Sequence, residues 1–288
     1  ARGASLEVVL PDGSHIGFGL PARVKLVIRD QAMLAQLANA TLASLAEAYV
    51  QGRIDVQGDL LEAVPLAERI SDAAGSHPAQ RVARILLKHT SRQDRAAIGY
   101  HYDVGNEFYR LWLDERMVYS CAYFKTGEES IDEAQRAKLD HICRKLRLSA
   151  GERLLDVGCG WGGLVLHAAR HYGARAVGIT LSQNQFELAR ERVAEEKLAD
   201  RVEVLLLDYR ELQKRFGADA FDKVASVGMF EHVGLANLPE YFASIIGVLR
   251  DRGLFLNHGI TSSDLDNRPI GSGVGDFVHK YVFPHGEL

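Results

Sequence analysis

A glycine-rich turn at residues 156–163 constrains the fold of this chain more than any other feature. The segment reads DVGCGWGG, follows the apolar run RLLDVG at 153–158 and leads into a helical pattern. Gly158 and Gly160 let the backbone turn tightly and let a ligand approach without meeting a Cβ atom. A turn of this kind between a strand and a helix predicts a parallel α/β sheet with a cofactor at the carboxyl ends of its strands.

The residues around this turn distinguish between two classes of cofactor. The spacing of Gly158, Gly160 and Gly163 fits a dinucleotide loop, which also needs an acidic residue at the end of the second strand. That strand ends in Thr180, and the acidic residue instead precedes the first glycine as Asp156. A carboxylate at this place suits a ligand with an ammonium and a sulfonium, so the turn predicts an S-adenosylmethionine site. The structural alternative is a tight strand-to-helix turn that holds no ligand.

The second half of the chain alternates between apolar strands and helical runs. Helical patterns occur at 182–197 and 239–250, and an amphipathic helix before them spans 130–148, where Ser130 and Glu133 match a capping box. The predicted strands lie at 153–158, 175–180, 202–208, 221–228 and 253–260. Such alternation predicts a Rossmann-like α/β domain, in which helices cover both faces of a mostly parallel sheet.

The N-terminal third of the chain follows a different pattern. The runs LEVVL and HIGFG flank the turn sequence PDGS (11–14), and VKLVI (24–28) predicts a third strand. Residues 31–49 carry apolar residues at helical spacing, and the stretch after them predicts a short strand and a further helix. These elements predict a small α+β domain at residues 1–92, which precedes the α/β domain at 93–288.

Several residues at predicted strand ends are candidates for cofactor contact, and some of them also have a structural explanation. Thr180 ends the second strand, and Ser182 with Gln185 fits a capping box, so Gln185 serves the helix start, a ligand or both. Asp208 and Tyr209 end the third strand, where they are placed to border a ligand. For Asp208, capping of the following turn is the equally weighted alternative.

Charge and cysteine content disfavour several classes of protein. With 34 basic and 38 acidic residues the net charge is −4, which argues against a nucleic-acid-binding surface. Cys121, Cys143 and Cys159 are widely spaced and form no CxxC pair, so neither a disulfide framework nor a structural zinc site is expected. No stretch of the sequence approaches the ~20 consecutive apolar residues of a membrane-spanning helix. The composition therefore fits a protein of the reducing cytoplasm.

Six segments together carry a resemblance to a known family. They read HYDVGNEFYRLWLD (101–114), YSCAYF (119–124), LLDVGCGWGG (154–163), GITLSQNQ (178–185), VGMFEHVG (227–234) and LNHGIT (256–261). In these segments the chain resembles the cyclopropane-fatty-acyl-phospholipid synthase family, which includes the mycolic acid cyclopropane synthases. YSCAYF and MFEHVG are specific to that family, whereas the glycine turn alone indicates only a methyltransferase. The N-terminal part resembles the small domain with a sterol-carrier-like fold that bacterial members carry.

The resemblance implies an S-adenosylmethionine-dependent enzyme that transfers a methylene group to the cis double bond of a phospholipid acyl chain. It also implies which residues contact the cofactor. With Asp156 and Asp208 added from the strand ends, the predicted contacts are Tyr119, Ser120, Asp156, Gly158, Gly160, Thr180, Leu181, Gln185, Asp208, Tyr209 and Val227.

The family resemblance further implies a bound bicarbonate ion at the reaction centre. Its predicted ligands are the side chains of Cys121, Glu231 and His258 and the backbone of Ile260. No metal is expected. A further family ligand, a tyrosine in a HYxxTL-like motif, does not occur in this sequence, so we expect the natural chain to continue beyond residue 288.

The implied reaction places unusual demands on its site. An alkene is a weak nucleophile without a proton to remove before attack, so alignment and exclusion of water must supply the rate. Attack leaves a carbocation on the acyl chain, which aromatic faces stabilise by roughly 1–2 kcal/mol when desolvated. A base then removes a proton from the added methyl group and the ring closes. Bicarbonate oriented by Glu231 is one candidate for this base, and Glu231 acting alone is the other.

Other functions stay open on the sequence alone. A related transferase leaves a methyl branch on the lipid or methylates a small-molecule amine, and a lipid carrier retains the glycine turn without using it. If the substrate is a membrane phospholipid, we expect a cytoplasmic protein that binds transiently to the inner face of the cell membrane. A homodimer is a further expectation, and nucleic acid is not an expected partner.

Overall fold

The computed structural model describes residues 6–18, 22–37, 41–59, 61–66 and 105–261. These residues divide into an N-terminal unit that reaches residue 66 and a larger unit that begins at residue 105. Each unit has its own sheet and its own buried apolar cluster. The predicted domain boundary between residues 92 and 93 lies outside the described residues and stays a prediction.

The N-terminal unit contains a four-stranded mixed sheet with the order β2-β1-β3-β4. The strands are β1 Leu6–Val9, β2 His15–Phe18, β3 Val24–Ile28 and β4 Ile54–Gly58. β1 pairs antiparallel with β2 across the predicted turn, whereas it pairs parallel with β3, and β3 pairs antiparallel with β4. All the strands predicted for this unit are thereby confirmed.

The helical run predicted at 31–49 is two helices, Gln31–Leu37 and Leu42–Val50. The second helix begins where Thr41 and Ser44 form a capping box, in which each side chain accepts a hydrogen bond from the other residue's backbone N–H. The buried apolar cluster of the unit comprises Ile28, Met33, Leu45, Ala48 and Ile54. Helices thus pack against the sheet, which confirms the predicted α+β class for this unit.

The larger unit is built on a five-stranded sheet with the order β7-β6-β5-β8-β9. Its strands are β5 Arg153–Val157, β6 Arg175–Thr180, β7 Val202–Leu206, β8 Phe221–Val227 and β9 Leu249–His258. Every pairing within this sheet is parallel. The α-helices of the unit are Asn106–Arg110, Ile131–Lys145, Gly163–Tyr172, Gln183–Glu195, Leu212–Phe216 and Leu238–Ile246. The structure confirms the Rossmann-like α/β class.

Successive strand residues contribute to different cores, which shows that both faces of the sheet are covered. Leu154 belongs to the apolar cluster beneath the helices Ile131–Lys145 and Gly163–Tyr172, whereas Leu155 belongs to the cluster that contains Tyr241 of the last helix. Side chains alternate between faces along a strand, so a strand buried on both sides reads as a continuous apolar run. This pattern accounts for the run RLLDV at β5.

The start of the last strand differs from the prediction. β9 begins at Leu249 rather than at residue 253, and the preceding helix ends at Ile246 rather than at residue 250. Phe221 pairs with Leu249 while Lys223 pairs with Leu254, so β9 bulges between these two pairs. The sequence DRG within the bulge resembles a turn, and only the long-range pairing with β8 shows that the strand continues through it.

Candidate functional site

A cavity lies where the strand order of the larger sheet reverses, at the carboxyl ends of β5 and β8. β5 stands between β6 and β8 because the chain first adds strands on one side of β5 and then returns to the other side. Ligands of open parallel sheets bind in the crevice at such a point. The cavity measures about 960 Å³ with its open mouth included.

All but one of the predicted cofactor residues line this cavity. The lining includes Tyr119, Ser120, Asp156, Gly158, Gly160, Thr180, Leu181, Gln185, Tyr209 and Val227. The exception is Asp208, whose carboxylate accepts hydrogen bonds from the backbone N–H and the guanidinium of Arg210, both at 3.0 Å. Asp208 therefore caps the short helical turn Tyr209–Glu211, which is the structural role that the sequence had left open.

Backbone contacts hold the glycine turn against β6. The N–H groups of Gly158 and Cys159 both donate to the carbonyl of Ile179, at 3.0 and 2.9 Å. The side chain of Cys159 packs against Gly178 of β6, where an added Cβ would lie 2.8 Å from the sulfur. The shape of the turn therefore depends on the neighbouring strand as well as on its own glycines.

The glycines of the turn have conformations that other residues rarely adopt. Gly158 has φ +82° and Gly160 has φ +54°, both in the left-handed region. A Cβ on Gly158 would lie 3.0 Å from the side chain of Met229, whereas a Cβ on Gly160 would have no atom of the described residues within 4 Å. The space beside Gly160 is therefore open for a ligand in the cavity.

Thr180 and Gln185 form a fixed polar wall of the cavity. The Thr180 hydroxyl donates to Oε1 of Gln185 at 2.7 Å, and both residues are buried. Ser182 caps the helix by accepting from the backbone N–H of Gln185, but the Gln185 side chain does not complete the capping box. With its carbonyl oxygen engaged by Thr180, Gln185 keeps its two amide N–H donors for a ligand.

Asp156 and Lys138 bring buried groups of opposite charge to the cavity lining. Asp156 is 3% exposed and Lys138 is 6% exposed. Burial raises the pKa of Asp156 to about 7 and lowers the pKa of Lys138 to about 8, because desolvation penalises the charged form of each. The attraction between the two charges opposes both shifts. The sequence interpretation included Asp156 but missed Lys138.

A signal for Lys138 was present in the sequence. It lies on the face of the helix Ile131–Lys145 that also carries Ala134, Leu139 and Ile142, all of which are buried. A lysine on an apolar helix face rarely lacks a partner or a function. Other cavity-lining residues that the sequence interpretation did not assign to the cofactor include Met117, Val118, Trp161, Met229 and His232.

The segment that carries Tyr119 and Ser120 has no regular secondary structure, and buried polar side chains fix its path. Gln135 donates through Nε2 to the carbonyls of Val118 and Ser120, at 3.0 and 2.9 Å. Lys138 donates through Nζ to Oγ of Ser120 at 2.7 Å and to the Ser120 carbonyl at 3.3 Å. The helix Ile131–Lys145 thus determines where this part of the cavity wall lies.

Aromatic rings extend from the cavity to the protein surface. Tyr109 contacts Trp161 and Tyr119, with ring centroids 4.9 and 5.6 Å apart, and Trp112 contacts Tyr119 at 5.2 Å. Tyr119 and Trp112 are 40% and 46% exposed, while Trp161 is buried and donates its indole N–H to Asn106. This aromatic wall gives the cavity an apolar approach from solvent.

Glu231 is the buried member of the set of residues predicted to hold an anion. Glu231 is 1% exposed, and its Oε1 accepts the backbone N–H of Ile260 at 2.6 Å. Its Oε2 is buried and meets no hydrogen-bond donor among the described residues. The Ile260 N–H, which was predicted to bind the anion, therefore serves the carboxylate instead.

The other two side chains predicted to bind the anion differ from Glu231 in their exposure to solvent. The side chains of Cys121 and His258 are exposed, and within the described ranges neither forms a hydrogen bond with Glu231. The backbone donor of Ile260 is engaged by Glu231, and the bicarbonate site as a whole stays a prediction. The two remaining cysteines, Cys143 and Cys159, are buried and free.

The part of the chain that the structure describes contains neither a metal-binding cluster nor a membrane-spanning helix. No cluster of three His, Cys, Asp or Glu side chains there is arranged to hold a metal ion. None of the helices described has both the length and the apolar character needed to cross a membrane.

Two family models match the chain. The model described as mycolic acid cyclopropane synthetase matches residues 89–288, and one described only as a domain of unknown function matches residues 2–76. The first match covers the cavity and all the predicted site residues.

Curated relatives agree with the first family model. A "Probable fatty acid methyltransferase" of Pseudomonas putida is 47% identical over 98% of this chain and 71% of its own length. The cyclopropane-fatty-acyl-phospholipid synthase of Escherichia coli K12 is 45% identical over 65% of this chain and 45% of its own length. The matched segment thus spans less than half the length of the E. coli protein.

Solved structures share the fold. The cyclopropane synthase MmaA2 from Mycobacterium tuberculosis has a TM-score of 0.61 and 33% identity, over 67% of this chain and 69% of its own. The mycolic acid cyclopropane synthase CmaA1, complexed with SAH and CTAB, has a TM-score of 0.60 and 33% identity over 70% of each chain. Coclaurine N-methyltransferase, at 23% identity and a TM-score of 0.59, shares the fold alone.

Proposed function

The chain belongs to the mycolic acid cyclopropane synthetase family, and from that premise we propose that it adds a methylene group from S-adenosylmethionine to the cis double bond of a phospholipid acyl chain. One observation carries the proposal. Cofactor residues predicted from separate motifs line a single cavity at the switch point of the sheet, next to an aromatic wall. The buried carboxylate of Glu231 lies in the same short helical turn as His232, which lines the cavity.

The polar part of the cavity suits the cofactor. When bound, S-adenosylmethionine supplies an electrophilic methyl group on a sulfonium. Asp156 offers a carboxylate, Gln185 offers amide N–H donors, and the open side of Gly160 leaves room for the ligand. These groups match the ammonium, hydroxyl and carboxylate groups that such a ligand presents.

The apolar part of the cavity suits an acyl chain. Tyr119 lines the cavity and contacts both Tyr109 and Trp112, so one aromatic surface runs from the cofactor region to solvent. Such a surface excludes water from the reacting double bond, and its ring faces stabilise positive charge on the alkyl chain. We therefore assign the acyl chain to this wall.

We assign the removal of the final proton to Glu231. One of its oxygens is anchored by the Ile260 N–H, and the other carries lone pairs that no described donor engages. Bicarbonate, oriented by Glu231, stays a prediction of the family resemblance. Turnover in buffer stripped of carbon dioxide separates the two routes: dependence on added bicarbonate supports the ion, and unchanged turnover supports Glu231 alone.

The partners follow from the proposed substrate. An unsaturated phospholipid must be met at a membrane surface, so we propose that the protein works in the cytoplasm and binds transiently to the inner face of the membrane. The larger unit then contains the proposed reaction site. The expected homodimer and the lack of a nucleic-acid partner stay predictions.

A methyl-branched product is the second candidate. The name of the Pseudomonas putida relative, "Probable fatty acid methyltransferase", favours it, because that name specifies methylation of a fatty acid and no ring. Both products begin with the same attack of an alkene on the cofactor methyl. They differ in whether the carbocation closes to a ring.

Expression in a bacterial host that makes no cyclopropane lipids tests the proposal. We expect unsaturated acyl chains to gain the mass of one CH₂ group, and proton NMR to show the upfield signals of cyclopropane methylene protons. The same gain in mass without those signals identifies the methyl-branched product. Unchanged lipids from a host that accumulates the folded protein contradict both candidates.

A further inference from the structure

Lys138 is a buried cation whose hydrogen bonds leave part of its donor capacity unused. An ammonium has three N–H donors and no acceptor. Two donors of Lys138 go to Ser120, one to Oγ at 2.7 Å and one to the carbonyl at 3.3 Å. Lys138 also lines the cavity. One N–H of this buried cation thus has no acceptor among the described residues and is available to a ligand.

Ser120 has a matching unused donor. Because Lys138 can only donate, the Ser120 oxygen acts as the acceptor in their bond, and the hydroxyl proton must go to another group. No described residue accepts that proton, and Ser120 lines the cavity. An O–H whose oxygen accepts from a cation is a stronger donor, since hydrogen bonds in a chain polarise one another.

The lining near Lys138 also carries a group of opposite charge. Asp156 is buried and lines the same cavity, and its charge attracts that of Lys138. A cation with one unused N–H, a hydroxyl with one unused O–H and a carboxylate in one cavity lining match a ligand that carries both an anion and a cation. An amino acid group, with its α-carboxylate and α-ammonium, is such a ligand.

We infer that Lys138, together with the Ser120 hydroxyl, binds the α-carboxylate of the amino acid end of S-adenosylmethionine, an inference that rests on the proposed function. Lys138 is then a determinant of cofactor specificity as well as a support for the segment that carries Ser120. Burial lowers the pKa of Lys138 to about 8, so the ammonium form still predominates at pH 7.

Calorimetry with two ligands tests this inference without an activity assay. S-Adenosylhomocysteine carries the carboxylate, and its decarboxylated analogue lacks only that group. We expect Lys138→Met to weaken binding of S-adenosylhomocysteine about tenfold or more, as loss of a charge-assisted hydrogen bond does. Binding of the decarboxylated analogue should change by less than about twofold. Lys138→Arg, which keeps the charge, should recover part of the loss.

Lys145→Met is the matched control. Lys145 belongs to the same helix, is exposed and does not line the cavity, so affinity for both ligands should stay at the wild-type value. Ser120→Ala is a second variant that retains Lys138. It should weaken S-adenosylhomocysteine selectively, by about threefold to tenfold, the usual loss for one neutral hydrogen bond.

The outcomes separate the inference from the proposed function. If both ligands weaken equally in Lys138→Met and Ser120→Ala, Lys138 only supports the cavity wall and the inference is wrong. Wild-type affinity for S-adenosylhomocysteine in both variants also overturns it, while the proposed function stands. If the wild-type protein binds neither ligand, the proposed function fails and this inference fails with it.

Discussion

The two sides of the proposed reaction site differ in what holds their functional groups in place. At the glycine turn, the N–H groups of Gly158 and Cys159 both donate to the Ile179 carbonyl, so parallel-sheet backbone fixes the cofactor side. Beyond β8, the carboxylate of Glu231 is anchored by a single N–H, that of Ile260. The proposed cofactor side is therefore held by two backbone hydrogen bonds to the neighbouring strand, and the proposed proton acceptor by one. Binding and turnover should respond separately to substitution.

Replacing Glu231 by glutamine should have the largest effect and the most selective one. The amide can still accept the Ile260 N–H through Oε1, but it carries no negative charge to receive a proton. Loss of a positioned base lowers turnover on the order of 10²–10⁴-fold. Cofactor affinity should change by less than about twofold if the two sides are independent.

Lipid product analysis and calorimetry with S-adenosylhomocysteine measure these two effects. Glu240→Gln is the control, because Glu240 is exposed in the next helix and does not line the cavity. Near wild-type turnover of Glu231→Gln would show that this carboxylate accepts no proton. An equal loss of cofactor affinity would show that the two sides are coupled.

Replacing Gly160 by valine tests the cofactor side. The side chain would occupy the open space beside the turn, and φ +54° is strained for a β-branched residue. Overpacking costs about 1–3 kcal/mol, so S-adenosylhomocysteine should bind about tenfold to hundredfold more weakly. Calorimetry measures the affinity, and a thermal melt measures the strain.

Gly151→Val separates strain from obstruction. Gly151 also has positive φ, at +82°, and a Cβ there would have no described atom within 4 Å, but it does not line the cavity. This variant should lose stability and keep its affinity. If the two valine variants bind S-adenosylhomocysteine equally well, the ligand does not pass beside Gly160.

Replacing Arg192 should have the smallest effect on function of the three substitutions, and it tests how the glycine turn is supported. Its Nη1 donates to the carbonyls of Arg116 and Trp161, at 2.8 and 2.9 Å, and so ties the glycine turn to the segment before Tyr119. Arg192→Met leaves both carbonyls without this donor, which should lower the free energy of unfolding by about 2 kcal/mol. S-Adenosylhomocysteine should bind only about threefold more weakly, because the β6 contacts of the turn remain.

Thermal unfolding and calorimetry follow these two quantities. Arg190→Met is the control, since Arg190 is exposed on the same helix and its guanidinium lies 5.4 Å from the ring centroid of Phe186. Unchanged stability of Arg192→Met would show that the bonds to the two carbonyls contribute nothing net. A much larger loss of affinity than of stability would place Arg192 in ligand binding itself.

Features with a local cause could be predicted from the sequence. The capping box of Ser130 and Glu133 involves neighbouring residues, and the structure confirms it. The parallel strands follow from apolar runs separated by helical patterns, and the position of the glycine turn follows from them. Because strand order fixes which ends meet, most predicted cofactor residues line one cavity.

Features that depend on a single distant contact could not be predicted. The start of β9 is set by its pairing with Phe221, far away in the sequence. The Ile260 N–H donates to Glu231, a contact that no motif specifies. Burial of Lys138 depends on Ser120, which reaches it from a segment without regular structure. In each case the local structure is determined by a contacting residue elsewhere in the sequence, rather than by the residue's immediate neighbours.

The packing of Cys159 against Gly178 has a consequence for how this site can vary in evolution. A methyl group at residue 178 and the present thiol at 159 cannot occupy the same space, since the two would be 2.8 Å apart. A larger residue on β6 is compatible with the fold only when the turn loses volume at the same time. The two positions thus act as one packing unit, and enlarging either residue alone should cost stability.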